Sequence, residues 1–438
     1  MKYFNTLALF FLIHSACGEN KVYDDMGSGF ELIGTQNEIT RVTNSKNSTN
    51  LKIHFNGNAK VASNALKDLD IKSILLTGYE KKFNLDSLKI LTLESDTFQG
   101  LPNLESLSIV EMIVQFNGNP LTPLGNLKAL TLKVGNISAI PTEMFASTPN
   151  LKNLSLVAND IHSISATDFD NLNQLEDLDL ARNYIETIEL GAFNGLQNLK
   201  KLNLSLSAFT APPRAVSGLK SLQILDLSDG YQLESIDPEA LKDLPELVEL
   251  QIMFSDLKEL KPGSLDNVPQ LKILRLDYNE IISVPKNFFN KLTGLEEINL
   301  SNNKIETLEA GAFDGLNLLG NLDLSGNKKL KIIPAGVISN LNIAAISLAS
   351  CGVEEIKPRA FDGLVTDNLD LSNNGLTRIG IEDFQGLNAR NFNVSRNKIN
   401  TVDDDALKNS NILEMDISGN PVLVDTNKWG FKGSLAEY

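Results

Sequence analysis

The chain has 438 residues, a formal net charge of −16, 42% hydrophobic residues and 21% charged residues. That is globular rather than disordered composition, and its acidity argues against a nucleic-acid binder, which needs a cationic footprint. Two cysteines cannot staple a disulfide scaffold, and three histidines leave little for a metal site or a histidine-based catalytic centre.

Residues 1–18 read as a secretory signal. Lys2 precedes the apolar run Leu7 to Ile13, which is too short to span a bilayer, and small residues follow at Ser15, Ala16, Cys17 and Gly18. A bacterial lipoprotein signal lipidated at Cys17 is the alternative, with His14 where that motif wants an aliphatic residue. No later stretch has the length of a membrane span, and the C-terminus lacks the apolar tail of a glycolipid anchor signal. The expected location is secreted and extracellular. Residues 19–47 form an N-terminal segment or cap without cysteine beyond the signal.

From residue 48 to residue 420 the chain repeats. The segments LKNLSLVANDI from Leu151, LEDLDLARNYI from Leu175 and LKILRLDYNEI from Leu271 share the pattern LxxLxLxxNxI. Fourteen units start at Leu104, Leu127, Leu151, Leu175, Leu199, Leu222, Leu247, Leu271, Leu295, Leu319, Ile343, Thr366, Ala389 and Ile412, spaced by 23 to 25 residues. Two worn units precede them, near Ser48 and Ile71, the second with extra residues around Glu80 to Leu88. Alternating leucines predict a short strand with one buried face, and successive strands pair in parallel. The asparagine after the strand, at Asn159, Asn183, Asn279, Asn303, Asn327, Asn374, Asn397 and Asn420, turns the chain, and its amide serves backbone groups of neighbouring coils. A phenylalanine column, including Phe98, Phe145, Phe169, Phe193, Phe289, Phe313, Phe361 and Phe384, is expected to stack on the opposite side. No unit buries its apolar face alone, so stability comes from stacking. Sixteen strands about 4.8 Å apart give an inner arc of about 75 Å.

These units resemble the leucine-rich-repeat family, and PTEMFASTPNL and LEAGAFDGLNLL resemble its long animal extracellular type. The resemblance implies an α/β-class single solenoid, a horseshoe with a parallel concave sheet and irregular or 3-10 convex segments. Many extracellular relatives close both ends with cysteine clusters. Here residues 421–438 resemble the start of such a cap, but Leu423 and Thr426 replace its thiols, leaving Trp429 and Phe431 as the expected plug. The cysteine-poor architecture is similar to soluble insect haemolymph proteins of the leureptin type, which implies binding of a protein or a microbial glycan such as lipopolysaccharide. An extracellular-matrix or adhesion role, with homo-dimerisation through the solenoid, is the competing reading.

Function is expected on the concave strands. The column Asp179, Asp226, Asp323, Asp370 and Asp416 reads as a solvated face, with no calcium-loop motif. The units from Leu199 to Tyr278 depart from the pattern and offer a candidate ligand-binding patch of Leu206, Ile224, Val248, Met253, Phe254, Ile273, Arg275 and Tyr278. A second candidate is basic: Lys128, Lys133, Lys152, Lys200 and Lys201. Candidate glycosylation sites are Asn47, Asn136, Asn153, Asn203, Asn299 and Asn393, with Asn47 the most exposed by context. Cys351 stands in the asparagine column as an expected buried thiol. No serine elbow, phosphate loop or zinc-binding helix is present, so no enzyme, cofactor or metal is expected.

Overall fold

The computed structural model describes residues 23–44, 46–78, 88–210 and 212–436. The expected signal, Cys17 included, and most of the insertion around Glu80 lie outside the described residues. The rest winds into one solenoid dominated by an 18-stranded sheet. Sixteen of these strands are one per repeat, from Asn50–Phe55 and Ser73–Thr77 through Ile224–Asp226, Glu249–Gln251 and Ile273–Arg275 to Asn411–Asp416. All pair in parallel with the next repeat, and the register places equivalent residues opposite one another, as in Leu225, Leu250 and Leu274. Almost no helix accompanies them. Among the described residues, the convex side holds one α-helical turn, Thr142–Phe145, and one 3-10 turn, Arg214–Val216.

Each strand shows the alternation that the leucines dictate. Leu178, Leu202, Leu225, Leu250, Leu274, Ile298 and Leu322 form a fully buried column, each flanked by half-exposed or exposed residues. Burial of one such side chain contributes about 2 kcal/mol. The phenylalanine column packs behind it. Phe169 and Phe193 stack with ring centroids 5.9 Å apart, and Phe289 with Phe313 and Phe361 with Phe384 at 5.8 Å. Rings on the back are therefore spaced more widely than the strands at about 4.8 Å. The difference bends the long sheet inward, so its open face is the concave one.

The asparagine column supplies the polar counterpart. Asn303 donates from Nδ2 to the carbonyls of Leu276 in the preceding coil and Leu300 in its own, and its Oδ1 accepts the Ile281 N–H. Asn183, Asn279, Asn327, Asn374 and Asn397 repeat this. Cys351 fills the same place with a single strong contact, Sγ to the Leu324 carbonyl at 3.1 Å, and burial pushes its thiol up to about 12.

Three adjacent units break both columns. Ser207, Gly230 and Ser255 replace the asparagine, and Val216, Leu241 and Leu265 take the phenylalanine place. The Ser207 hydroxyl is buried without a hydrogen-bond partner.

At the N-terminal end, Tyr23–Asp24 pairs antiparallel with Asn50–Phe55, covering the edge of the long sheet. The hairpin Phe30–Gly34 with Glu38–Asn44 continues into a second sheet through Ala59–Val61, Lys89–Glu94 and Met112–Asn117. The convex side thus begins as a five-stranded sheet and later reduces to two-residue pairs such as Ser163–Ile164 with Thr187–Ile188. At the other end, Trp429 and Phe431 are buried in the core, and Ser434–Leu435 adds a short parallel strand to Asn411–Asp416.

Candidate ligand-binding face

Three rows of side chains cross the open face. The middle row runs Asp177, Lys201, Ile224, Glu249, Ile273 and Glu297 in register. Two residues further along each strand runs Asp179, Asn203, Asp226, Gln251, Arg275, Asn299 and Asp323. This second row is more than a solvated face. The Oδ1 atoms of Asp179, Asn203, Asp226, Asn299, Asp323, Asp370, Asn393 and Asp416 each accept the backbone N–H two residues on, closing the turn after the strand. The aspartates and the sequon asparagines of this row are therefore interchangeable parts of one turn.

The third row lies at the N-terminal rim of the strands and holds most of the basic candidates. Lys128 pairs with Glu105 at 2.9 Å, while Lys152 and Lys200 both reach Glu176 at 2.7 Å. Their two hydrogen bonds hold the Glu176 carboxyl down at about 2. Lys201 lies in the middle row, where it opposes the effect of burial on Asp177, and Lys133 ends the strand Ala129–Lys133. The five lysines thus form an alternating rail of charges and two outliers. Beside the rail lies an open cleft of about 400 Å³ lined by Lys72, Asn103, Asn126, Lys128, Asn150 and Lys152 among others. A second amide ladder, invisible in the LxxLxL pattern, runs here: Asn126 to the Pro102 carbonyl, Asn150 to Gly125 and Asn198 to Asn173.

The opposite rim is built from a backbone constraint. The residue before the asparagine position has positive φ in all fourteen units, between 50° and 61° where it is not glycine. The cause is a ladder that continues past the strands. The amides of Arg182, Leu206, Asp229, Phe254 and Tyr278 donate to the carbonyls of Ser205, Ser228, Met253, Asp277 and Ser301 in the next coil. Left-handed geometry suits asparagine and glycine, which occupy the place at Asn302, Gly326, Asn373 and Gly419. Phe254 and Tyr278 adopt it at a cost of about 1 kcal/mol each. Their rings stack face to face, centroids 4.3 Å apart and planes 11° apart, while remaining 48% and 47% exposed.

The first candidate patch divides across this geometry. Met253, Phe254 and Tyr278 gather at the left-handed rim, with Leu206 two coils away. Arg275 lies one row inward, between Glu249 at 3.9 Å and Glu297 at 3.5 Å. Ile224 and Ile273 occupy the middle row and flank Glu249. Val248 is at the other rim, six residues and roughly 20 Å of extended chain from Phe254. Tyr184 and Tyr231, exposed two places past the left-handed position of their units, escaped the sequence reading because of that offset. Asp277 is buried beside the pair. Desolvation raises its carboxyl above the ordinary aspartate range, and its Oδ1 has no hydrogen-bond partner in the chain.

The sequons are distributed unevenly. Asn47 and Asn136 are exposed in turns with positive φ, Asn153 is exposed in the middle row, and Asn203, Asn299 and Asn393 are half-buried in the turn-closing row. Among the described residues, no cluster of His, Cys, Asp and Glu could hold a metal ion, and no helix is long and apolar enough to cross a membrane.

A leucine rich repeat family model matches residues 125–185, 174–231, 221–281 and 269–328, and a BspA type leucine rich repeat region matches residues 319–434. No curated protein sequence matches the chain. Among solved structures, a chain of the Drosophila Toll–Spätzle complex is similar with a TM-score of 0.59 at 18% identity, over 86% of this chain and 64% of that one. This chain therefore spans under two thirds of that relative. A chain of the TLR13–ssRNA13 complex is similar with a TM-score of 0.53 at 19% identity, over 87% and 67%. A Leptospira interrogans repeat protein, LIC12759, is similar with a TM-score of 0.50 at 21% identity, over 81% and 85%.

Proposed function

Because the chain is a leucine-rich-repeat protein, a class of solenoids that generally serve as binding scaffolds, we propose that it is a secreted recognition protein that binds a protein ligand across its open sheet and left-handed rim. Fold alone does not choose the ligand. The similar solenoids named above occur in complexes with a protein and with a single-stranded RNA. Charge and local chemistry choose. The net charge of −16 repels a phosphate-rich ligand.

One observation carries the reading: two stacked aromatic rings stand half-exposed in a backbone conformation that disfavours them. Aromatic side chains are enriched among binding anchors, and an anchor is worth roughly 2 kcal/mol or more on truncation. The test is capture of a ligand from the extracellular fluid of the source, followed by titration of the purified ligand against wild type and Phe254→Ala/Tyr278→Ala. The double variant is expected to bind at least 30-fold more weakly. Equal affinity removes the rim from the account.

A second reading, innate recognition of microbial lipopolysaccharide, is favoured by the cleft along the lysine rail. Glu105 and Glu176 already engage three of its lysines, so the cationic field there is largely spent. Lipopolysaccharide binding that falls on Lys72→Ala/Lys128→Ala would favour it. The matrix reading instead predicts self-association, which sedimentation at several concentrations detects.

A further inference from the structure

Five consecutive coils each carry an apolar side chain at or just past the left-handed position: half-buried Leu206 and exposed Phe254 and Tyr278 at it, and exposed Tyr184 and Tyr231 two residues further along their coils. In the coils that follow, the place of Phe254 and Tyr278 is taken by Asn302, Gly326 and Ser350. The stripe is therefore bounded. Its length, four intervals of about 4.8 Å, matches roughly six residues of extended chain.

The chemistry at its centre is specific. Asp277 immediately precedes Tyr278, is 93% buried by its 7% exposure, and has one carboxylate oxygen without a donor. The chain's own nearby cation does not supply that donor, because Arg275 sits between Glu249 and Glu297 and its Nε is itself without a hydrogen-bond partner. Glu297 in the next unit and Asp323 in the one after it add carboxylates that act on Asp277. An aromatic stack, a buried acceptor without a donor and a surplus of carboxylates converge on one ligand group. A guanidinium stacks on aromatic faces and presents five planar donors. Met253, in register with Asp277, is unbranched and only half-buried, so it can move aside to admit a donor.

We propose that Phe254, Tyr278 and Asp277 form a seat for an arginine side chain on a basic, extended segment of a protein ligand that lies along the rim. This rests on the protein-recognition reading above and specifies the chemistry of its ligand. An ammonium group fits less well, since it is compact and cannot stack. A sulfated or phosphorylated ligand is repelled.

The test is fluorescence anisotropy of the full chain with a labelled Arg-Ser-Arg-Ser-Arg-Ser peptide. Phe254→Asn/Tyr278→Asn leaves the net charge unchanged and places asparagine where the backbone favours it. It is expected to weaken peptide binding at least tenfold with an unaltered circular dichroism spectrum. Replacing each arginine of the peptide with citrulline, which keeps the shape and removes the charge, is expected to abolish binding, and Asp277→Asn to weaken it at least threefold. Equal affinity in wild type and the double variant would mean diffuse attraction to an acidic surface and would overturn the seat, as would preference for a heparin hexasaccharide. If the peptide result fails while a captured protein still depends on Phe254 and Tyr278, the arginine seat falls and the recognition reading stands. If neither depends on them, both fall.

Discussion

Replacing Asn327 by alanine tests the polar ladder that joins the coils. Asn327 is fully buried. Its Nδ2 donates to the carbonyls of Leu300 at 3.0 Å and Leu324 at 2.6 Å, and its Oδ1 accepts the Ile305 N–H at 3.1 Å. The three losses are unequal. Leu300 keeps a second donor, the Asn303 amide, and Leu324 keeps the Cys351 thiol. The Ile305 N–H loses its side-chain acceptor in a buried place. One orphaned donor costs about 2 kcal/mol and two weakened acceptors about 0.5 kcal/mol each, so Asn327→Ala should cost about 3 kcal/mol. The same change at Asn420, at the partly solvated end of the ladder, should cost about 1 kcal/mol, because water replaces the lost partners. Urea unfolding gives the stability difference, and amide hydrogen exchange at Ile305 reports the local opening even where a repeat array unfolds in parts. A loss below about 1 kcal/mol at Asn327, with unchanged exchange at Ile305, would mean that the amide ladder does not join the coils.

Burial raises the Asp277 carboxyl, so ionising it opposes folding at neutral pH and ceases to do so once the group is protonated. Asp277→Asn should therefore be more stable than wild type at pH 7, by a margin that disappears below the ordinary aspartate value; thermal melts across pH 3 to 7 check this. Glu176 behaves oppositely: its depressed value means that its pairs with Lys152 and Lys200 stabilise above the ordinary glutamate range and are lost as pH falls toward about 2. Cys351, raised to about 12 by burial, should resist a thiol reagent in the native protein at pH 8 and react in urea. Glycosidase treatment of protein from a secreting host should change the mass by glycans at Asn47 and Asn136, and leave Asn203, Asn299 and Asn393 unmodified in the turn-closing row.

The repeat was legible because its physics is periodic: the leucine columns and the asparagine amides recur every 23 to 25 residues, and the structure places each in the core. What escaped is what periodicity hides. The aspartate column looked solvated because its hydrogen bond is to backbone two residues on, a contact without sequence signature beyond consensus. The lysines looked like a patch because their partners, Glu105 and Glu176, lie a whole coil away. Val248 and Phe254 looked like neighbours because they are close in sequence, yet a strand separates them to opposite rims. The five-stranded N-terminal sheet escaped because worn units lose the pattern that marks a strand.

Hydroxyl-radical footprinting of the full chain with and without its captured protein ligand reads ligand contact at the rim itself, since aromatic and methionine side chains report their own exposure. A ligand seated on the rim protects Tyr184, Tyr231, Met253, Phe254 and Tyr278 and leaves the exposed Leu190 and Ile332 unchanged. Protection at Leu190 and Ile332 with the rim still reactive would contradict that seating.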